Sequence, residues 1–166
     1  MRVLILAVFI LMTSACSLNH GRPIANLQYL KTERLRTTGI YQIYFKSDVD
    51  LLGLFKSSIG QGLVCSLTDD LDFSQAHKIK QSGFGFIERV SADSLLYRAD
   101  VIFDELVDGK GEEKRLKGTT LIPFLKVRDS ISCVFRVHST TYKTYFSKIM
   151  QVPSAELLAP APANEL

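Results

Sequence analysis

The chain has 166 residues, 20 Lys and Arg against 17 Asp and Glu, a net charge of +3, and three cysteines. Its basic residues are scattered and the densest charged run, 112–117, is of mixed sign, which excludes the clustered Lys/Arg with interleaved aromatics of a nucleic-acid surface. Beyond a short apolar leader about 150 residues remain, enough for one domain burying roughly 70% of the unfolded chain's surface, and no later apolar run is long enough for a membrane-spanning helix.

The chain opens with Met1-Arg2, an apolar run over 3–12, and then Thr13-Ser14-Ala15-Cys16. At ~1.5 Å rise per residue this run falls short of ~30 Å of hydrocarbon, so 1–15 reads as a secretory signal peptide. Leu11-Met12-Thr13-Ser14-Ala15-Cys16 resembles the lipobox of bacterial lipoproteins. The resemblance covers the leader alone. It implies that Cys16 receives a diacylglycerol and, after cleavage, becomes an acylated N-terminus. Thr13 stands where that pattern has an aliphatic residue, and ordinary cleavage after Ala15, leaving Cys16 plain, is the alternative. Cysteine parity favours acylation: an odd third thiol in an oxidising compartment forms mixed disulfides, whereas lipidation of Cys16 leaves Cys65 and Cys133 as an even pair. Several acyl chains anchor stably, at about 0.8 kcal/mol per buried CH₂. Ser17, not Asp, follows the cysteine, and by the same resemblance this implies the bacterial outer membrane, with the domain facing the periplasm.

Residues 16–39 read as the lipidated N-terminus and a tether, with Asn19-His20-Gly21-Arg22-Pro23 its most loop-like piece and only weak helical spacing at Leu27, Leu30 and Arg34. A single β-rich domain is expected over 40–152. It starts with strict alternation, Tyr41, Ile43 and Phe45 against Gln42, Tyr44 and Lys46. Ser47-Asp48-Val49-Asp50 then offers a capping-box-like helix start, Asp50 standing in for the usual Glu, and Leu51, Leu52, Phe55 and Ile59 follow at helical intervals until Gly60-Gln61-Gly62 stops the run. Leu63, Cys65 and Leu67 make a second strand, followed by a polar loop from Thr68 to Ser82. Phe84, Phe86 and Val90 share a parity, and Leu95, Tyr97, Ala99, Val101 and Phe103 form the clearest alternating row in the chain. After a turn at Asp108-Gly109-Lys110-Gly111, Leu121, Leu125 and Val127 suggest a return strand that Pro123 confines to an edge or bulge. Ile131, Cys133, Phe135 and Val137 make another strand, 142–150 a last one, and 153–166 a disordered Pro/Ala tail.

Short successive strands with little helix between them predict a mainly β fold, an antiparallel β-sandwich or partly open barrel with one short helix, α+β being the alternative. Cys65 and Cys133 both lie on inward parities, so they are expected to form a disulfide, pictured as bridging two sheets across a ~10 Å gap.

Chemistry is sparse. His20, His77 and His138 are not at metal-ligand spacing, and Asp69, Asp70 and Asp72 lack the spacing of a Ca²⁺ loop, so no metal or other cofactor is expected. Neither G-x-S-x-G nor S-x-x-K occurs, and an acid–base pair such as Glu88 with Asp104 has no pocket to give it content. No catalytic residue is assigned. Tyr41, Phe45, Phe84, Phe86, Tyr97, Phe103, Phe135 and Phe146 are counted as core, while Tyr44, Phe124 and Tyr145 fall on the other parity and are the candidate partner-binding patch. The expectation is a non-enzymatic, outer-membrane-anchored lipoprotein that binds another envelope protein as an accessory or assembly module. A small-molecule or lipid carrier with an apolar cavity, and an inhibitor of a hydrolase, are the alternatives.

Overall fold

A computed structural model describes residues 21–35, 38–55, 57–107, 112–140 and 143–159. The stretch 1–15 read as a signal peptide, the expected lipidation site Cys16, His20 and the end of the expected tail lie outside the described residues. The fold is mainly β: one antiparallel sheet curled into a half-barrel, with two short helices.

The strands are β1 (Leu27–Arg34), β2 (Ile40–Ser47), β3 (Ser58–Ser66), β4 (Gln81–Gly85), β5 (Ile87–Arg89), β6 (Leu96–Leu106), β7 (Glu113–Leu116), β8 (Ser130–Ser139), β9 (Thr144–Phe146) and β10 (Met150–Pro153). The sheet runs β1-β2-β6-β4-β3-β8-β10. The long strand β6 organises one half: β2 and β7 line one of its edges, β4 and β5 the other. Strand β8 organises the second half, carrying β3 on one edge and β9 and β10 on the other.

Alternation decides which side chains fill the curl. Tyr41, Ile43 and Phe45 of β2, Tyr97, Ala99, Val101 and Phe103 of β6, and Ile131, Cys133, Phe135 and Val137 of β8 are all buried in one cluster. Aromatic pairs knit adjacent strands within it, Tyr41 edge-on to Phe103 at 5.6 Å and Phe45 stacked on Tyr97 at 5.9 Å. The disulfide forms between Cys65 and Cys133. It does not bridge two sheets: the cysteines face each other across the β3–β8 ladder with Cα atoms 4.0 Å apart, near the closer of the two spacings that alternate along an antiparallel pair.

The sheet begins earlier and closes later than expected. The stretch read as tether contains β1, which pairs with β2 over its whole length, a bulge between Tyr29 and Lys31 breaking its alternation. Just before it, Ile24 donates its N–H to the Phe146 carbonyl and Lys148 donates to Ala25, each at 2.8 Å, so the two ends of the curled sheet are tied by backbone hydrogen bonds. At the far end, Ser154–Leu158 forms a helix rather than a disordered tail because Leu157 is buried in the main core. That helix, α2, packs against β1 and against α1 (Ile122–Lys126).

Two further expectations fail for physical reasons. The helical pattern from Leu51 to Ile59 is not a helix: Leu51 is fully buried in the core with its N–H donating to the Tyr97 hydroxyl, Leu52 and Phe55 pack against that core half-buried, Asp50 pairs with Arg89, Ile59 is exposed, and Ser58 already pairs with Ser139 in the sheet. The expected return strand at 121–127 is instead α1, with Pro123 in its first turn, where a missing N–H costs nothing. Leu121 and Leu125, four apart, are buried by it, while Val127 is 75% exposed. Among the described residues no helix is long and apolar enough to cross a membrane.

Candidate functional site

The segment Gly83-Phe84-Gly85-Phe86 places its glycines, not its phenylalanines, toward the core. A Cβ at Gly83 would lie 2.6 Å from the ring of Phe103 and 2.8 Å from Val101, and one at Gly85 would lie 2.6 Å from the Asp100 carbonyl oxygen. The inward positions are therefore open only to glycine, and the side chains between them must point out. Phe84 is 41% exposed and Phe86 72%, their rings meeting edge to face with centroids 5.0 Å apart. Both were expected in the core. Gly62 on the neighbouring strand receives the Phe84 ring, since a Cβ there would sit 2.6 Å from it.

Around this pair the outer face is charged and internally neutralised. Continuing the β4–β6 register through β5 sets Phe86 opposite Asp100, and beyond it Glu88 opposite Arg98. Arg98 pairs with Glu88 and, at 3.3 Å, with Asp100, to which Gln42 also donates at 3.1 Å. An exposed apolar centre with a polar rim is the anatomy of a protein-recognition patch.

On the other side of Phe84, the loop between β3 and β4 folds back over the outer face. Phe73 and Ile79 of that loop pack on Val64 and Val134, with Phe146 against them, in a second small core. Between loop and sheet lies a cavity of about 280 Å³, lined among others by Val64, Phe73, Ile79, Ser82, Phe84 and Arg136. The Arg136 guanidinium is partly buried and donates to the Phe73 carbonyl at 3.4 Å. Burial lowers its pKa from the ordinary arginine value; the group stays charged.

The loop is held by its own acids. Asp70 and Asp72 accept the backbone N–H groups two residues on, those of Asp72 and Ser74, as Asx turns do. Asp70 also hydrogen-bonds His77 at 2.6 Å, which lowers the Asp70 pKa and raises that of His77. Asp69 stands 3.8 Å from Arg128. His138, hydrogen-bonded through Nδ1 to Thr144 at 2.8 Å, is pushed down by burial and then by the nearby Arg136 charge. Glu88 is tied to Arg98 and Asp104 to Arg115. Among the described residues no three His, Cys, Asp or Glu side chains converge as a metal site requires.

The expected patch of Tyr44, Phe124 and Tyr145 is not one surface. Tyr44 lies on the outer face of β2, its hydroxyl donating to Glu33 and its ring beneath the Lys31 ammonium at 4.6 Å. Phe124 sits on α1, packed against the main core, and Tyr145 on β9 packs on the same core with its ring 4.7 Å from Phe55. The signal that could have found the exposed pair is the glycine at every second position beside it. No family model, curated protein or solved structure matches the chain.

Proposed function

We propose that the chain is a lipid-anchored protein of the bacterial outer membrane whose domain faces the periplasm and binds another envelope protein through the Phe84–Phe86 face, as an accessory or assembly module without catalysis of its own. The observation that carries the reading is the pair of paired, exposed phenylalanine rings, held outward by glycines and rimmed by neutralised charge. Two such rings leaving water on contact contribute on the order of 1.5–3 kcal/mol each, enough to dominate a small interface. The lipobox-like leader and the Cys65–Cys133 disulfide support the compartment. A carrier would need room within the curl, which Phe45, Tyr97, Phe103 and Phe135 fill.

Two measurements test it together. The intact mass of the mature protein should correspond to a chain beginning at Cys16 and carrying acyl groups. Chemical cross-linking from intact membranes should recover one stoichiometric partner from the native chain and none from Phe86→Ser. An unmodified Cys16, or a partner captured equally by both chains, contradicts the proposal.

A further inference from the structure

Arg136 is out of keeping with the other charged groups of the outer face. Arg89, Arg98, Arg115 and Arg128 each have a carboxylate within ion-pair distance. Arg136, itself partly buried, has none among the described residues, and the Phe73 carbonyl receives only one of its five N–H donors. A guanidinium partly withdrawn from water without a counter-charge carries a cost that an incoming anion relieves. The acids on the cavity rim do not supply that charge: Asp104 is held by Arg115, Asp72 accepts the Ser74 amide, and Glu113 is exposed on β7. Lys78 stands on the same rim.

We infer that the cavity between the β3–β4 loop and the sheet receives a carboxylate of the partner protein borne next to an apolar side chain, with Arg136 pairing the carboxylate and Phe84 covering the apolar group. At about 280 Å³ the cavity has the size of one or two side chains, and its floor of Val64, Phe73 and Ile79 is apolar where Arg136 is not. Phe84 belongs both to this cavity and to the exposed pair, so a chain docked on Phe86 reaches Arg136 without leaving the surface. The inference rests on the proposed protein-binding role and names the chemistry of what is bound.

The test uses the full chain in detergent and two probes, N-acetyl-Leu-Phe as the free acid and as its C-terminal amide, titrated by calorimetry or by amide shifts of Ser82 and Gly83. The acid should bind about tenfold tighter than the amide, as a charge-assisted, bidentate contact implies. Arg136→Gln should abolish that ratio, Arg136→Lys should retain part of it, and Phe84→Ser should weaken both probes alike. Hexanoate, a carboxylate with no peptide, should bind at least tenfold more weakly than the peptide acid. Equal binding of acid and amide, a ratio unchanged in Arg136→Gln, or hexanoate as tight as the peptide acid each overturns the inference. Should Arg136→Gln fold poorly, the acid–amide ratio on the native chain and the Lys variant decide. Capture of a partner that depends on Phe86 but persists in Arg136→Gln separates failure here from failure of the protein-binding reading.

Discussion

Replacing both Cys65 and Cys133 with Ala removes a cross-link between adjacent strands without leaving a free thiol or a buried hydroxyl. The half-cystines are 68 residues apart and fully buried, and between them lie β4, β5, β6, β7 and α1. Freeing a loop of that length in the denatured chain raises its entropy by an amount worth about 4 kcal/mol at room temperature. The two lost sulfurs add a smaller packing term, on the order of 0.8 kcal/mol each if they count as methylene-sized. The β3–β8 backbone ladder itself stays intact, so the folded state should survive. For a domain of this size such a loss lowers Tm by roughly 10–15 °C. Circular dichroism melts of the native chain, oxidised and reduced, and of the double variant test this: the reduced native chain should melt well below the oxidised chain, and the variant a few degrees lower again for its two lost sulfurs. A variant that melts within 2 °C of the oxidised native chain would refute the chain-entropy reasoning, and loss of partner capture without loss of Tm would make the pair functional rather than structural.

Gly83→Val forces a branched side chain against Phe103 and Val101 in a filled core, and should cost about 1–3 kcal/mol in urea unfolding, whereas the outward Phe86→Ser should change stability by no more than about 0.5 kcal/mol; the reverse order would invert the parity of β4. Leu157→Ala should cost about 2–4 kcal/mol by the same measurement if α2 belongs to the domain, and almost nothing if those residues were a tail. The two described histidines should titrate in opposite senses in an NMR pH series, His77 above and His138 below the ordinary imidazole value. His77 is raised by its bond to Asp70, so the loop contact is fully present below the unfolded-state pKa and is lost as pH rises through the folded one; Asp70→Asn should bring His77 down, and an unmoved His77 would contradict the pairing.

The parts of the fold legible from sequence are those in which one residue in two is large and apolar. Tyr41-Ile43-Phe45, Tyr97 through Phe103, and Ile131 through Val137 meet that condition, and all three rows are buried as read. The cysteine pair was legible from the same parities, but not its position across one ladder, because parity carries no information on strand order. Spacing misled where two periods coincide: Leu121 and Leu125 fit a strand or a helix equally, and Pro123 is as much at home at a helix start as at a sheet edge. At β1 the bulge between Tyr29 and Lys31 shifts the alternation halfway and hides the strand. At Phe84 and Phe86 parity shows that the two rings share a face but not which face is inward: the space on the inward side, at Gly83 and Gly85, is already taken by Phe103, Val101 and the Asp100 carbonyl. A core position can be recognised by what it must be too small to hold.

The reading turns on whether the outward phenylalanines meet a protein in the envelope. A photoreactive amino acid placed at position 86 of the full chain in living cells, with one at position 127 as an equally exposed control on another element, tests that contact directly. A single discrete adduct from position 86 and none from 127 is the expected result. No adduct at 86, or the same adducts from both positions, would contradict it.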